Sequence, residues 1–123
     1  MDFDDPQGSC DLPNTRNVYV ATEPGVRVGV WHSLPSSYDH QAAAARADHA
    51  ELLLEDGKTV ILYLHGNSAN RAGAHRVELY RVLRALDCHV VCCDYRGYAD
   101  STPAMPNETG VVTDARAVSL DFE

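Results

Sequence analysis

Two segments that alternate apolar and polar positions, Asn17 to Ala21 and Val26 to Leu34, flank Glu23-Pro24-Gly25. A period of two marks half-buried strands, and the Pro and Gly suit the corner of a turn, so the pair predicts an antiparallel hairpin. Tyr38 to Leu54 differs: HQAAAARADHAELLL is rich in strong helix formers, Asp39 stands where a cap belongs, and Glu55-Asp56-Gly57 stops it. Val60 to Leu64, VILYL, is a continuous apolar run of strand length, as in a strand covered on both faces. RVELYRVLRAL, from Arg76 to Leu86, places Leu79, Val82, Leu83 and Leu86 on one helical stripe and its arginines mostly elsewhere. HVVCCD, from His89 to Asp94, repeats the buried-strand pattern, and a final helix is predicted from about Thr109. Strand, helix and strand at this spacing imply a parallel pair with a right-handed crossover. The expected fold class is α/β, an antiparallel hairpin followed by a parallel βαβ unit.

Residues 1 to 16, with Pro6, Gly8, Pro13, Asn14 and little apolar content, read as a loose leader ahead of the domain at 17–123. With 123 residues, 45% hydrophobic and 23% charged, the chain is globular and allows one domain at most. Enzymes built on large parallel sheets usually need about 200 residues or more, which points to an incomplete sheet.

Ten Lys and Arg stand against eighteen Asp and Glu, a formal net charge of −8, which argues against nucleic acid and anionic membrane surfaces as partners. No apolar run approaches the roughly 20 residues of a membrane span, and the acidic start lacks the basic region of a signal peptide. These features suit a cytosolic chain. Cys10, Cys88, Cys92 and Cys93 form no CxxC pair. Adjacent strand residues face opposite ways, so Cys92 and Cys93 cannot converge on one metal with Cys88 and His89. The cysteines read as small buried hydrophobes in a reducing compartment. His40 and His49 miss the i, i+4 spacing of a helical metal pair, and neither a metal nor a cofactor is expected.

In an open parallel sheet the chemistry collects beyond the carboxyl ends of the strands, where loops present free backbone N–H groups. Two such ends occur here, Tyr63-Leu64-His65-Gly66-Asn67-Ser68 and Asp94-Tyr95-Arg96-Gly97-Tyr98. The run ILYLHGNSANRAGAHRVELYRVLRALDCHVVCCDYRGYADS, from Ile61 to Ser101, resembles the membrane-anchored α/β-hydrolase-domain lipases that act on lysophosphatidylserine and monoacylglycerol. VGVWHSLP, Val28 to Pro35, is similar to the segment preceding it there. The resemblance implies the N-terminal half of an α/β-hydrolase sheet, a lipid ester substrate and an endoplasmic reticulum membrane location for the complete parent. It also implies that the N–H of Asn67 or Ser68 is one of two donors to a tetrahedral oxyanion, with His65, Gly66, Asp94, Arg96 and Gly97 supporting the loops.

The second donor would follow the nucleophile in a G-x-S-x-G elbow on the next strand, and no such motif occurs in these residues. The acid and histidine of the triad would lie later still. The chain is therefore expected to be a truncated serine hydrolase of the lysophospholipid and monoacylglycerol lipase type, inactive alone. The family's DYRG motif is commonly continued by an aromatic residue and Gly, but here the Gly position is Ala99, which would be strained at positive φ. The family's upstream transmembrane helix is also absent.

Two rival readings stand beside this one. In the family's strand order, Val60 to Leu64 lies between His89 to Asp94 and the nucleophile strand, leaving a bare edge that invites pairing with another chain. That suits a non-catalytic regulatory isoform. The other is a small esterase using Ser68, against which Asn70 breaks the small-residue rule of the elbow. The histidines after Ser68 are only His75 and His89, with Glu78 and Asp87 the only acids between, in the wrong order for a triad. For His65 a turn-holding role is set against proton transfer. For Asp94 and Arg96 a loop-bracing ion pair is set against substrate contact.

Overall fold

The computed structural model describes residues 2–40, 57–65, 70–105 and 107–122. The predicted helix from Tyr38 to Leu54 lies largely outside them; its described beginning belongs to a 3-10 turn, Ser36–His40.

The hairpin forms from β1 (Thr15–Glu23) and β2 (Val26–Ser33), paired antiparallel with Val18 opposite Val30. The apolar runs form β3 (Val60–Tyr63) and β4 (His89–Asp94), paired parallel with Leu62 opposite Val91. Strand β2 lies antiparallel to β4, which gives the order β1-β2-β4-β3 with β3 on an edge among the described residues.

Period-two alternation along β4 distributes its side chains to two faces. Val91 and Cys93 join Val20, Val28, Val30 and Val118, and Val118 belongs to the last helix, α3 (Glu108–Asp121). Val90 and Cys92 join Trp31, Leu12, Val77 and Tyr80, of which the last two come from α2 (Ala74–Ala85). The sheet is thus covered on both faces, which explains why β4 reads as an unbroken apolar run and is buried at every position.

Helix ends follow local chemistry. Asn107 caps α3 by accepting from the Gly110 N–H at 2.7 Å. At the end of α2, the N–H groups of Asp87 and Cys88 return to the carbonyls of Arg84 and Leu83, at 2.8 and 3.3 Å. Asp87 takes the left-handed φ of 63° that this Schellman closure requires.

The buried face of α2 differs from the predicted stripe. Val82 is 56% exposed and Leu86 69%, whereas Arg76, Val77, Tyr80 and Arg84 are buried. At 100° per residue the inward face is turned by about a third of a turn from the expected one. The arginines explain the shift, because each carries an aliphatic stem inward and ends on a loop carbonyl. Arg84 Nε donates to the Leu34 carbonyl at 2.7 Å, and Arg76 Nη1 to the Asn70 carbonyl at 2.8 Å.

The opening residues, expected as a loose leader, carry a short helix α1 (Pro6–Cys10) capped by Asp5. Leu12 is fully buried, Phe3 tilts against Trp31, and Trp31 Nε1 donates to the Phe3 carbonyl at 2.9 Å. One leucine and one phenylalanine in a Pro- and Asp-rich stretch give no periodic signal, yet both find apolar surface.

At the opposite end of the sheet from the β4 carboxyl end, Arg16 Nε donates to His32 Nδ1 at 2.9 Å. Because arginine only donates, the His32 ring proton sits on Nε2, where it faces His89 Nδ1 at 2.9 Å. Both rings are fully buried.

Candidate functional site

The carboxyl end of β4 is a fully buried carboxylate, Asp94. His65 Nε2 lies 2.7 Å from its Oδ1. The Arg71 backbone N–H reaches both carboxylate oxygens, at 2.9 and 3.1 Å, and Arg71 Nη1 meets Oδ2 at 2.7 Å. Ser101 Oγ donates to the Asp94 carbonyl at 2.6 Å and accepts from the Gly29 N–H at 2.9 Å, tying this corner to β2.

Arg71, whose side chain is fully buried, is the hub of the network. Its guanidinium also donates to Asp100 Oδ1 and to Asn17 Oδ1, both at 2.8 Å, and lies 4.0 Å from the centre of the Phe3 ring. Burial opposes its charge, but hydrogen bonds to Asp100 and Asp94 outweigh that and raise its pKa above the ordinary value. Asp100 is the counterpart: burial would raise its pKa, yet hydrogen bonds from Arg71 and Tyr19 hold it below the usual carboxylate value. Gly29 is required beneath this pair, because a Cβ there would come within 2.6 Å of Arg71 Nη2 and 2.7 Å of Asp100 Oδ1.

An aromatic wall stands on the other side of His65. Its ring lies 5.0 Å from Tyr95 and 6.0 Å from Tyr98, the latter edge-on, and Tyr95 Oη donates to the His65 carbonyl at 3.3 Å. Together these contacts fix the His65 ring plane from two directions.

Arg96 lies apart from Asp94. The two do not form one ion pair: Arg96 turns to Asp114 of α3 and to Glu23 at the end of β1, while Asp94 takes His65 and Arg71. Each charge braces a loop, but with a different partner from the one sequence adjacency suggests. Gly97 sits at φ 86° in the following turn, and its N–H reaches the Thr102 carbonyl at 2.9 Å. Ala99 takes φ 46°, a left-handed conformation that costs an L-residue with a Cβ.

Gly66, Asn67 and Ser68 lie outside the described residues. Of the expected site residues, the structure brings His65 and Asp94 together and sets Arg96 and Gly97 on the adjoining turn. Sequence reasoning missed Arg71, Asp100, Asn17 and Ser101. Arg71 stands in a short polar stretch with no strand or motif around it, and its partners are 23 to 54 positions away. Among the described residues no group of His, Cys, Asp or Glu is arranged to hold a metal, and no helix is long and apolar enough to cross a membrane.

No family model matches the chain. It is 44% identical over 104 residues to the lysophosphatidylserine lipase ABHD12 of Danio rerio, covering 85% of this chain and 27% of that protein. It is 43% identical over 107 residues to Protein ABHD12B of Homo sapiens, covering 87% and 29%. The Mus musculus lysophosphatidylserine lipase ABHD12 gives 44% over 115 residues, 94% of this chain and 28% of that protein. The chain thus spans under a third of the length of the curated relatives it matches. Among solved structures, the esterase Pf2001 of Pyrococcus furiosus superposes with a TM-score of 0.58 at 17% identity, covering 86% of this chain and 34% of that one. A solved protein of Agrobacterium vitis S4 gives 0.62 at 16%, covering 88% and 36%. By sequence, then, the chain is similar to part of the ABHD12 lysophosphatidylserine lipases, and by fold it is similar to part of these solved α/β structures.

Proposed function

We propose that these residues serve a serine ester hydrolase acting on a lysophospholipid or monoacylglycerol, and that they act from the side that stabilises the oxyanion. In this reading the backbone N–H of Asn67 or Ser68 is a donor to the tetrahedral intermediate, worth about 10²–10³ in kcat. His65, Gly66, Asp94, Arg96 and Gly97 hold the two loops around it. Carboxylic ester hydrolysis also needs a nucleophile, acid and base, and no G-x-S-x-G elbow occurs in residues 1–123, so the chain by itself is inactive. The endoplasmic reticulum membrane location of the parent belongs to the same proposal.

The observation that carries the reading is the 44% identity over 104 of 123 residues, an extent long enough to run through both carboxyl-end loops. The test is a chimera in which this chain replaces the matching segment of the Danio rerio lipase. The chimera is expected to hydrolyse lysophosphatidylserine, and Asn67→Pro and Ser68→Pro, made separately, identify the donor by a fall of about 10² or more in kcat. A folded chimera without hydrolysis sinks the reading. So does fluorophosphonate labelling of the unfused chain that disappears in Ser68→Ala, which would make Ser68 the nucleophile of a small esterase.

A second reading is favoured by one observation. Strand β3 is an edge among the described residues, with Val60 36% and Leu64 47% exposed, and an apolar edge offers its backbone to another strand. A regulatory chain using that edge would co-purify with a full-length homologue, and Val60→Lys would abolish the association.

A further inference from the structure

We propose that Asp94 is a positioning residue for the reaction, stapling both flanks of the segment between His65 and Arg71 to a single carboxylate; this rests on the reading of Asn67 and Ser68 as oxyanion donors. The residue just before Gly66 reaches Asp94 through a ring nitrogen at 2.7 Å. The residue just after Asn70 reaches it twice, through its backbone N–H at 2.9 Å and its guanidinium at 2.7 Å. Six residues of extended chain would span about 20 Å. Here the two ends converge on one group, the Asp94 carboxylate at the end of β4.

A carboxylate suits that task by its shape and its two oxygens. It offers about four lone-pair positions, which matches the four contacts that His65 and Arg71 make with it. An amide would turn an NH₂ group towards one of these donors. The staple is itself immobilised: Ser101 holds the Asp94 carbonyl, Tyr80 Oη donates to the Arg71 carbonyl at 2.8 Å, and Asp100 and Asn17 hold the far side of the guanidinium. A backbone donor stabilises an oxyanion only when it stands within a few tenths of an ångström of the right place, and fixing the two flanking residues serves that demand. Asp94 touches no substrate in this arrangement and acts through the chain it holds.

Hydrogen exchange on the full 123-residue chain tests the staple. In Asp94→Asn the amides of residues 66–70 are expected to exchange at least tenfold faster, while those of β3 and β4 stay within twofold. If Asp94→Asn does not fold, His65→Phe keeps a ring against Tyr95 and Tyr98, removes one arm, and is expected to give a several-fold acceleration confined to the same amides. Unchanged exchange at 66–70, or an equal acceleration throughout β3 and β4, overturns the staple. The chimera supplies the second readout, where Asp94→Asn should lower kcat tenfold or more at an unchanged KM. Accelerated exchange with an unchanged kcat leaves the staple intact but sinks the oxyanion reading, and with it the role of Asp94 in the reaction.

Discussion

Arg96 and Asp114 form a two-pronged pair that fastens α3 to the turn after β4: Arg96 Nη2 lies 2.8 Å from Oδ1 and the Arg96 backbone N–H 2.9 Å from Oδ2. Thr22 Oγ1 adds a further hydrogen bond, at 2.7 Å, from the end of the hairpin. Three separate stretches of chain therefore meet at one buried carboxylate.

Replacing that carboxylate should be costly. Asp114→Asn keeps the shape but removes the charge and turns an NH₂ group towards one of the Arg96 donors, and a loss of about 2–3 kcal/mol is expected, read by urea denaturation at neutral pH. Its pH dependence has a definite sign. Burial would raise the Asp114 carboxyl, but hydrogen bonds from Arg96 and Thr22 outweigh this and hold it below its ordinary 3.8. Its contribution is present above that ordinary value and disappears as pH falls through the lower folded one. The acid limb of the stability curve should therefore be shallower in Asp114→Asn than in the parent chain, and an unchanged limb would count against the pair.

Ala99 at φ 46° carries strain that a glycine would not. Ala99→Gly relieves about 1–2 kcal/mol of it and returns part through a freer unfolded chain, for a net gain of about 0.5–1 kcal/mol. The melting temperature should rise by about 2–4 °C. Ala99→Val should move it downward, since a β-branched side chain tolerates the left-handed region poorly.

The two faces of α2 should answer differently to substitution. Val77→Ala opens a hole beside Trp31 and is expected to cost about 2 kcal/mol. Tyr80→Phe loses the hydrogen bond to the Arg71 carbonyl, about 1 kcal/mol. Val82→Lys, on the exposed face, should change stability by less than about 0.5 kcal/mol. Were Val82→Lys the most damaging of the three, the face inferred from the leucines would be the right one.

Thiol reactivity separates the four cysteines. Burial pushes the Cys92 thiol up to about 12 and Cys93 higher still, so neither supplies thiolate at neutral pH. Cys10 and Cys88 are only half-buried. A disulfide reagent at pH 8 should titrate two thiols in the native protein and four after denaturation, with the fast pair mapping to Cys10 and Cys88. Fast reaction at Cys92 would contradict its place in the core.

The sheet was legible because its strands announce themselves in two ways. Val26 to Leu34 alternates in residue type, which marked it as a strand although β2 lies between β1 and β4 and is buried from Val28 to Ser33, and HVVCCD does not alternate, as a strand covered on both faces need not. The α2 face was misread because hydropathy scores arginine as polar throughout, whereas Arg76 and Arg84 bury their stems and spend their charge on loop carbonyls. The docking of Phe3 and Leu12 was invisible for the opposite reason: isolated apolar residues have no period. At the candidate site, strand ends located His65 and Asp94, since that is where open α/β sheets place their loops. Nothing local marked Arg71, whose partners Asn17, Asp94 and Asp100 come together only when the hairpin and the βαβ unit are already joined.

The ring proton held between His32 and His89 has a use of its own. It bridges β2 to β4, the seam between the antiparallel and parallel halves of the sheet, and is shut away from water. A proton so shielded gives a ring N–H signal in magnetic resonance that fades once solvent enters, so the molecule carries its own gauge of whether the two halves of the sheet are closed together. No label has to be attached to read it.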